Sequence, residues 1–367
     1  MKLNDNQKAF FALVKAGLYE QECRLLSFEK IDFKEVYRIA EEQSVVGLVA
    51  AGLEQLSDVK APKEDVLQFV GQALQLEQSN KSMNEYLAWL IDYLRNKDVY
   101  TVLVKGQGIA QCYQKPMWRA CGDIDLLLSD TNYEKAKQVL MPLAIQIEDE
   151  YKTFKHIGLT MTAGIVVELH GTLHSRLSKK VDRMIDNVQK DVFYGGNVRS
   201  WQNGQTQVFL PSADADVIFV FTHILHHFFI EGVGLRQICD WCRLLWTYRK
   251  EIDASLLEKR LSVAGLLTEW RSFAALAVDW LGMPSEAMPL YSLNRKWSRK
   301  AKHIMTFVLE SGNFGHNRQV ARGKISSAWH KFKDFARHAR VFPMDSVRFF
   351  CHFVGDGIKL ALQTNKG

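Results

Sequence analysis

Two aspartates, Asp123 and Asp125, open the apolar run "DIDLLL", with Gly122 immediately before them. Residues two apart on a strand point to the same face, so the two carboxylates project together while Ile124 turns the other way into a core. Neighbouring carboxylates repel, and both remain ionised only when a cation sits between them. A divalent metal is the simplest such cation. Magnesium prefers hard oxygen ligands and keeps open positions for water and substrate phosphates, which suits an Asp-x-Asp at a strand edge. A two-metal phosphoryl-transfer site commonly needs one more carboxylate on a neighbouring strand. Glu168 is the candidate, because it interrupts the β-branched run "IVVELHG", where an unpaired buried charge costs several kcal/mol, in the range ~3–5. His170 lies on the same strand face as Glu168 and would support it or contact substrate.

The elements that must position these groups follow from periodicity. Residues 1–96 carry apolar residues at three- and four-residue steps and read as an N-terminal helical region. Residues 97–210 change texture. "VYTVLV" is a short β-branched run closed by the "KGQG" turn, "DIDLLL" is a second strand, and "TNYEKAKQVLMPL" is a helix that Thr131 is placed to cap. "GLTMT" and "IVVELHG" flank an Ala-Gly turn and read as a hairpin. In residues 211–367 the helical period returns, with Ser212 as N-cap of "ADADVIFVFTHILHHFF". The fold class is therefore α+β, a small mixed sheet flanked by helical regions on both sides.

Composition narrows the function classes. The chain has 367 residues, is 47% hydrophobic and carries a net charge of +6, enough apolar material for a large core. Lys and Arg crowd between Arg295 and Arg340, a solvated basic face or a dock for an anionic partner. Six cysteines without regular spacing make no disulfide framework. Cys23, Cys112, Cys121 and Cys351 read as packing residues, and the Cys239/Cys242 pair falls in a helical pattern with no second Cys/His pair at zinc spacing. The start lacks the apolar stretch of a signal peptide. "VVGLVAAGL" is far shorter than the ~20 residues that span a bilayer. The expectation is a cytoplasmic protein without stable membrane insertion. The final helix "SVRFFCHFVGDGIKLAL" is amphipathic, and a core-facing role is expected for it.

The run "VLVKGQGIAQCYQKPMWRACGDIDLLL", then "VVELHGTLH", then "LHHFFIEGVGLRQICDWCRLL", resembles a family of uncharacterised bacterial nucleotidyltransferases of the polymerase beta superfamily. There a Lys-Gly turn, an Arg, a Gly-Asp-x-Asp strand and a Glu-Leu-His strand recur in this order. The resemblance implies a nucleotidyltransferase core with a helical region closing a nucleotide cleft. It implies that Asp123 and Asp125 bind two Mg²⁺ ions, Mn²⁺ being an alternative, and that Glu168 completes the metal site and helps deprotonate the acceptor. Gly106 would let the backbone approach the triphosphate, and Lys105 and Arg119 would neutralise phosphate charge. Gln107 and Gly122 complete the two glycine motifs. Gln107 is a departure, because the broader superfamily typically has Gly-Gly or Gly-Ser at the turn.

On this reading the substrate is a nucleoside triphosphate, ATP included, and the acceptor is a small molecule, a protein or RNA. The rival readings are a catalytically silent module that binds a nucleotide or protein, and a toxin-like enzyme adding nucleotides to tRNA through the basic C-terminal surface. His223, His226 and His227 read as helical core or surface residues. Arg236 and Asp240, four apart, read as a helix ion pair or as part of a substrate cleft.

Overall fold

The computed structural model describes residues 3–151, 155–313, 333, 335–349 and 355. Its elements in chain order are α1 (Asp5–Tyr19), α2 (Phe33–Glu42), α3 (Val46–Leu53), α4 (Lys63–Arg95), β1 (Val102–Val104), α5 (Gly106–Ala110), β2 (Asp123–Leu127), α6 (Asp130–Leu140), β3 (Gln146–Ile147), β4 (His156–Thr160), β5 (Val166–His170), α7 (Lys179–Tyr194), β6 (Val198–Asn203), β7 (Thr206–Pro211), α8 (Ala213–His226), α9 (Leu235–Thr247), α10 (Ala254–Ala264), α11 (Leu267–Asp279) and α12 (Arg295–Ser311). The α+β architecture agrees with the sequence reading.

Five strands form a mixed sheet in the order β1-β2-β5-β4-β3. The central pair, β2 and β5, runs parallel and sets Asp125 opposite Glu168. β4 and β5 form the expected hairpin, with His156 opposite His170. Its turn is built by Ala163 and Gly164, both at positive φ, the backbone that suits a right-twisted hairpin. Ile124 and Leu126 are fully buried in a cluster that α4 and α6 side chains complete, leaving the aspartates on the opposite face. A second hairpin, β6 with β7, went unread in the sequence; Val208 and Leu210 on β7 join that same cluster.

A larger core runs from the N-terminal helices through α8, α9 and α11 to α12, with the fully buried Phe221, Trp241, Trp270 and Phe273 among its members. Close approach of α1 and α3 depends on small residues. A Cβ on Gly52 would stand 2.1 Å from the Leu13 carbonyl oxygen.

Ser212 caps α8 as expected, accepting from the Ala215 amide. Thr131 does not cap α6. The N-cap is Ser129, whose extended backbone (ψ 160) leads the chain out of β2, and Thr131 falls inside the first turn. Cys239 and Cys242 are buried on α9 as free thiols.

The stretch Ala213–Ile230 is apolar and long enough to cross a membrane by length and composition, but 78% of it is buried inside the protein. Asp214 and Asp216 stand at its start. Asp216 is paired with Arg199 at 2.5 Å. Of the basic segment, α12 presents Arg295, Lys296, Arg299 and Lys302 to solvent. Residues 314–332 and Cys351 lie outside the described residues, as does most of the final amphipathic run.

Candidate active site

The site is assembled where β2 and β5 run side by side. Asp123, Asp125 and Glu168 bring one oxygen each to within 4.8 Å of one another. They line an open cleft of about 500 Å³, together with Lys105, Gly106, Arg119 and His170. Facing them are His223, His226 and His227 around the end of α8, and Arg236 and Asp240 on α9.

Three carboxylates meet few cations here. Asp125 is buried and receives Lys105 Nζ at 2.7 Å and His170 Nε2 at 2.8 Å, both on Oδ1. Burial opposes its charge, but Lys105 and His170 outweigh burial and hold its carboxyl below the ordinary range. Glu168 behaves alike: burial is overcome by hydrogen bonds from His156 and His170 and by the charge of Lys105, so its carboxyl lies well below the ordinary range. His170 is raised, because its bonds to Asp125 and Glu168 outweigh its burial. Asp123 has neither partner, and the charge of Asp125, then burial and Glu168, push its carboxyl up to about 6. Among the described residues Asp123 alone of the three carboxylates has no ion-pair partner, the charges of Lys105 and Arg236 reaching it only from a distance.

The turn before the site is strained. Lys105 sits at φ 56 and ψ −143, and Gly106 at φ 31. A non-glycine residue at positive φ is uncommon and persists where the surroundings over-determine it. Here Lys105 is held through Asp125. A Cβ on Gly106 would come within 3.5 Å of the Asp123 carbonyl oxygen. Gln107 turns inward: its side chain is buried, with Nε2 donating to the Asp123 carbonyl at 3.2 Å and contacting Met83 Sδ. It props the turn from beneath and is not among the cleft-lining residues.

Arg119 and Asp240 form a buried ion pair, with Nη2 at 2.6 Å from Oδ2 and Nε at 3.2 Å from Oδ1. The Tyr113 hydroxyl donates to the same Oδ1 at 2.9 Å. This corrects the reading of Arg236 and Asp240 as a helix ion pair: Asp240 pairs with Arg119 and not with Arg236 along the helix. The chain preceding β2 runs past α9, so the nearer guanidinium across the gap wins over the (i, i+4) neighbour. Arg236 instead donates from Nη1 to the Ala120 carbonyl at 2.6 Å, with its Nε buried and without a partner. Burial and the charge of Arg119 lower its pKa.

His156 was missed altogether. Its Nε2 lies 3.2 Å from Glu168 Oε2, and counting back from the Ala-Gly turn would have paired it with His170. His223 is half-buried beside its buried helix neighbour His227, Nε2 to Nε2 3.1 Å. Burial, then the charge of Lys105, depresses its pKa well below the ordinary value, so it faces the cleft as a neutral imidazole.

The model of a family described as uncharacterised nucleotidyltransferases matches residues 29–282, a span holding the sheet, every carboxylate of the site and the α8–α9 wall. No curated protein and no solved structure matches the chain. By that match over most of its length, the chain belongs to the uncharacterised nucleotidyltransferases and so to the nucleotidyl-transferring enzymes.

Proposed function

We propose that the cleft moves a nucleoside monophosphate from a nucleoside triphosphate to an acceptor hydroxyl or phosphate with release of pyrophosphate, in a magnesium-dependent reaction. The observation that carries this is the convergence of Asp123, Asp125 and Glu168 within 4.8 Å on one wall of a cleft large enough for a nucleotide. The donor set fits the ion: hard carboxylate oxygens, one of them on an aspartate with no cation of its own. When bound, Mg²⁺ or Mn²⁺ would neutralise charge on the triphosphate and align the acceptor oxygen with the phosphorus.

The chain's own residues supply the rest. Lys105, fixed by Asp125, and Arg236, with an unused Nε–H, place positive charge around the triphosphate. Gly106, without a side chain at the strained turn, leaves room for a phosphate near the backbone. Arg119 acts through Asp240: the pair ties the chain before β2 to α9 and keeps the two cleft walls in register. Glu168, already held well below the ordinary carboxylate range, is suited to ligation and poorly suited to accept a proton as a base.

Calorimetric titration of each nucleoside triphosphate, with and without Mg²⁺, tests the reading on the wild type and on Asp123→Asn. Mg²⁺-dependent binding is expected in the wild type and its loss in the variant. Equal binding by both proteins would end the assignment. A second reading, a silent nucleotide-holding module, is favoured by Asp125 being already compensated by Lys105 and His170. It predicts nucleotide binding with no pyrophosphate released in the presence of any acceptor.

A further inference from the structure

His156, Glu168 and His170 are a grouping of a different chemical kind from the aspartates beside them. Their ligand atoms also lie within 4.8 Å of one another. The register of the hairpin places the two histidines opposite each other. Their rings stack at 4.7 Å between centroids, 25° apart in plane. Both Nε2 atoms point at one carboxylate oxygen, Glu168 Oε2, at 3.2 Å from His156 and 3.3 Å from His170.

Hydrogen bonding satisfies this arrangement poorly. The Nε2–H of His170 can point well at only one acceptor, yet Asp125 Oδ1 stands at 2.8 Å and Glu168 Oε2 at 3.3 Å. The separations suit a shared ion better. Donor atoms at about 2.0–2.2 Å from one metal stand about 3.0–3.5 Å from each other, and both nitrogen–oxygen distances fall in that window. His156 keeps a quarter of its side chain exposed and both rings line the open cleft, so an ion has a path in.

We propose that His156, Glu168 and His170 form a second metal site that takes a borderline divalent ion, Zn²⁺, where the neighbouring carboxylates take magnesium. Imidazole nitrogen favours zinc, whereas Mg²⁺ is selected by all-oxygen sets. Glu168 belongs to both groupings and would stand between the two ions. His170 gives up its Nε2 proton to solvent as the ion enters, and Asp125 keeps Lys105 as its cation. The ring of Tyr151 stacks on the outer face of His156, 6.1 Å between centroids. The site needs no nucleotide, so it stands or falls apart from the nucleotide reading.

The test is calorimetric titration of the whole chain with Zn²⁺ alone, with Co²⁺ absorption as a reporter of nitrogen ligation. The wild type should show a saturable site. Its Kd should rise at least about tenfold in His156→Gln and in Glu168→Gln, as expected for loss of a ligand. It should stay unchanged in His174→Gln, a cleft histidine engaged with Asp186 at 2.6 Å. Melting in the presence of Zn²⁺ gives a second readout, with a rise for the wild type and none for His156→Gln. A wild type that binds Zn²⁺ but no nucleoside triphosphate supports this site and overturns the earlier reading alone. Absence of a saturable site, or His156→Gln binding as tightly as the wild type, overturns this one.

Discussion

At the scale of residues, charge balance separates groups that look alike in the sequence. Asp123 and Asp125 are two residues apart on one strand face, yet one is compensated by a lysine and a histidine and the other is not. The same balance sets the weight of the Arg119–Asp240 pair, in which both side chains are almost wholly buried. Removing one partner of a buried pair strands the other charge. Arg119→Met is therefore expected to lower stability by about 3–5 kcal/mol, measured by urea unfolding. The double variant Arg119→Met with Asp240→Leu should recover much of that loss, because no stranded carboxylate remains. A double variant no more stable than the single one would show that the pair stabilises by its own attraction.

At the scale of elements, the segment leading into β2 is positioned by helices far from it in sequence. Asn80 on α4 donates to the carbonyls of Met117 and Arg119 at 2.8 and 2.7 Å. On α3, a Cβ at Gly47 would lie 2.0 Å from the Trp118 carbonyl oxygen. Gly47→Ala must push that segment away and is expected to reduce stability by about 1–3 kcal/mol, and to weaken triphosphate binding along with it. Gly71 on α4 is exposed, with nothing within 4 Å of an added Cβ. Gly71→Ala should raise stability by about 1 kcal/mol through helix propensity alone. Thermal melts of the two variants decide this, and equal shifts would contradict the packing argument.

At the scale of the whole molecule, residues 335–349 pack on the helical core, His338 and Phe342 against Phe228, and Glu269 of α11 faces Asp345. Glu269 is fully buried. Burial, then Asp345, raises its carboxyl well above the ordinary 4.5, with Arg348 opposing; Lys300 of α12 lies in the same neighbourhood. A proton held more tightly in the folded state than in the unfolded one stabilises fully below the unfolded pKa. That stability is lost as pH rises toward the folded value. The melting temperature should therefore fall as pH is raised from about 4.5 through neutrality, a window that starts at the ordinary glutamate value. Glu269→Gln, which keeps the shape of the protonated carboxyl, should flatten that slope. An unchanged slope in the variant would assign the pH dependence elsewhere.

Much of the site was legible in the chain because it depends on local geometry. Period two puts Asp123, Asp125 and Ile124 on their opposite faces whatever surrounds them, and Glu168 stood out as a charge in a β-branched run. Ser212 and the Ala-Gly turn announced α8 and the β4–β5 hairpin by chemistry confined to a few residues. Thr131 failed as a cap by two positions, since several small polar residues compete at that junction and only the exit angle of β2 chooses Ser129. What the sequence could not determine were contacts between residues far apart in the chain. That Arg119 meets Asp240, that Arg236 reaches Ala120, and that the histidines of α8 turn toward the carboxylates depend on how the helical wall packs against the sheet. Packing is decided by the fit of whole faces, for which no short stretch of sequence carries the information.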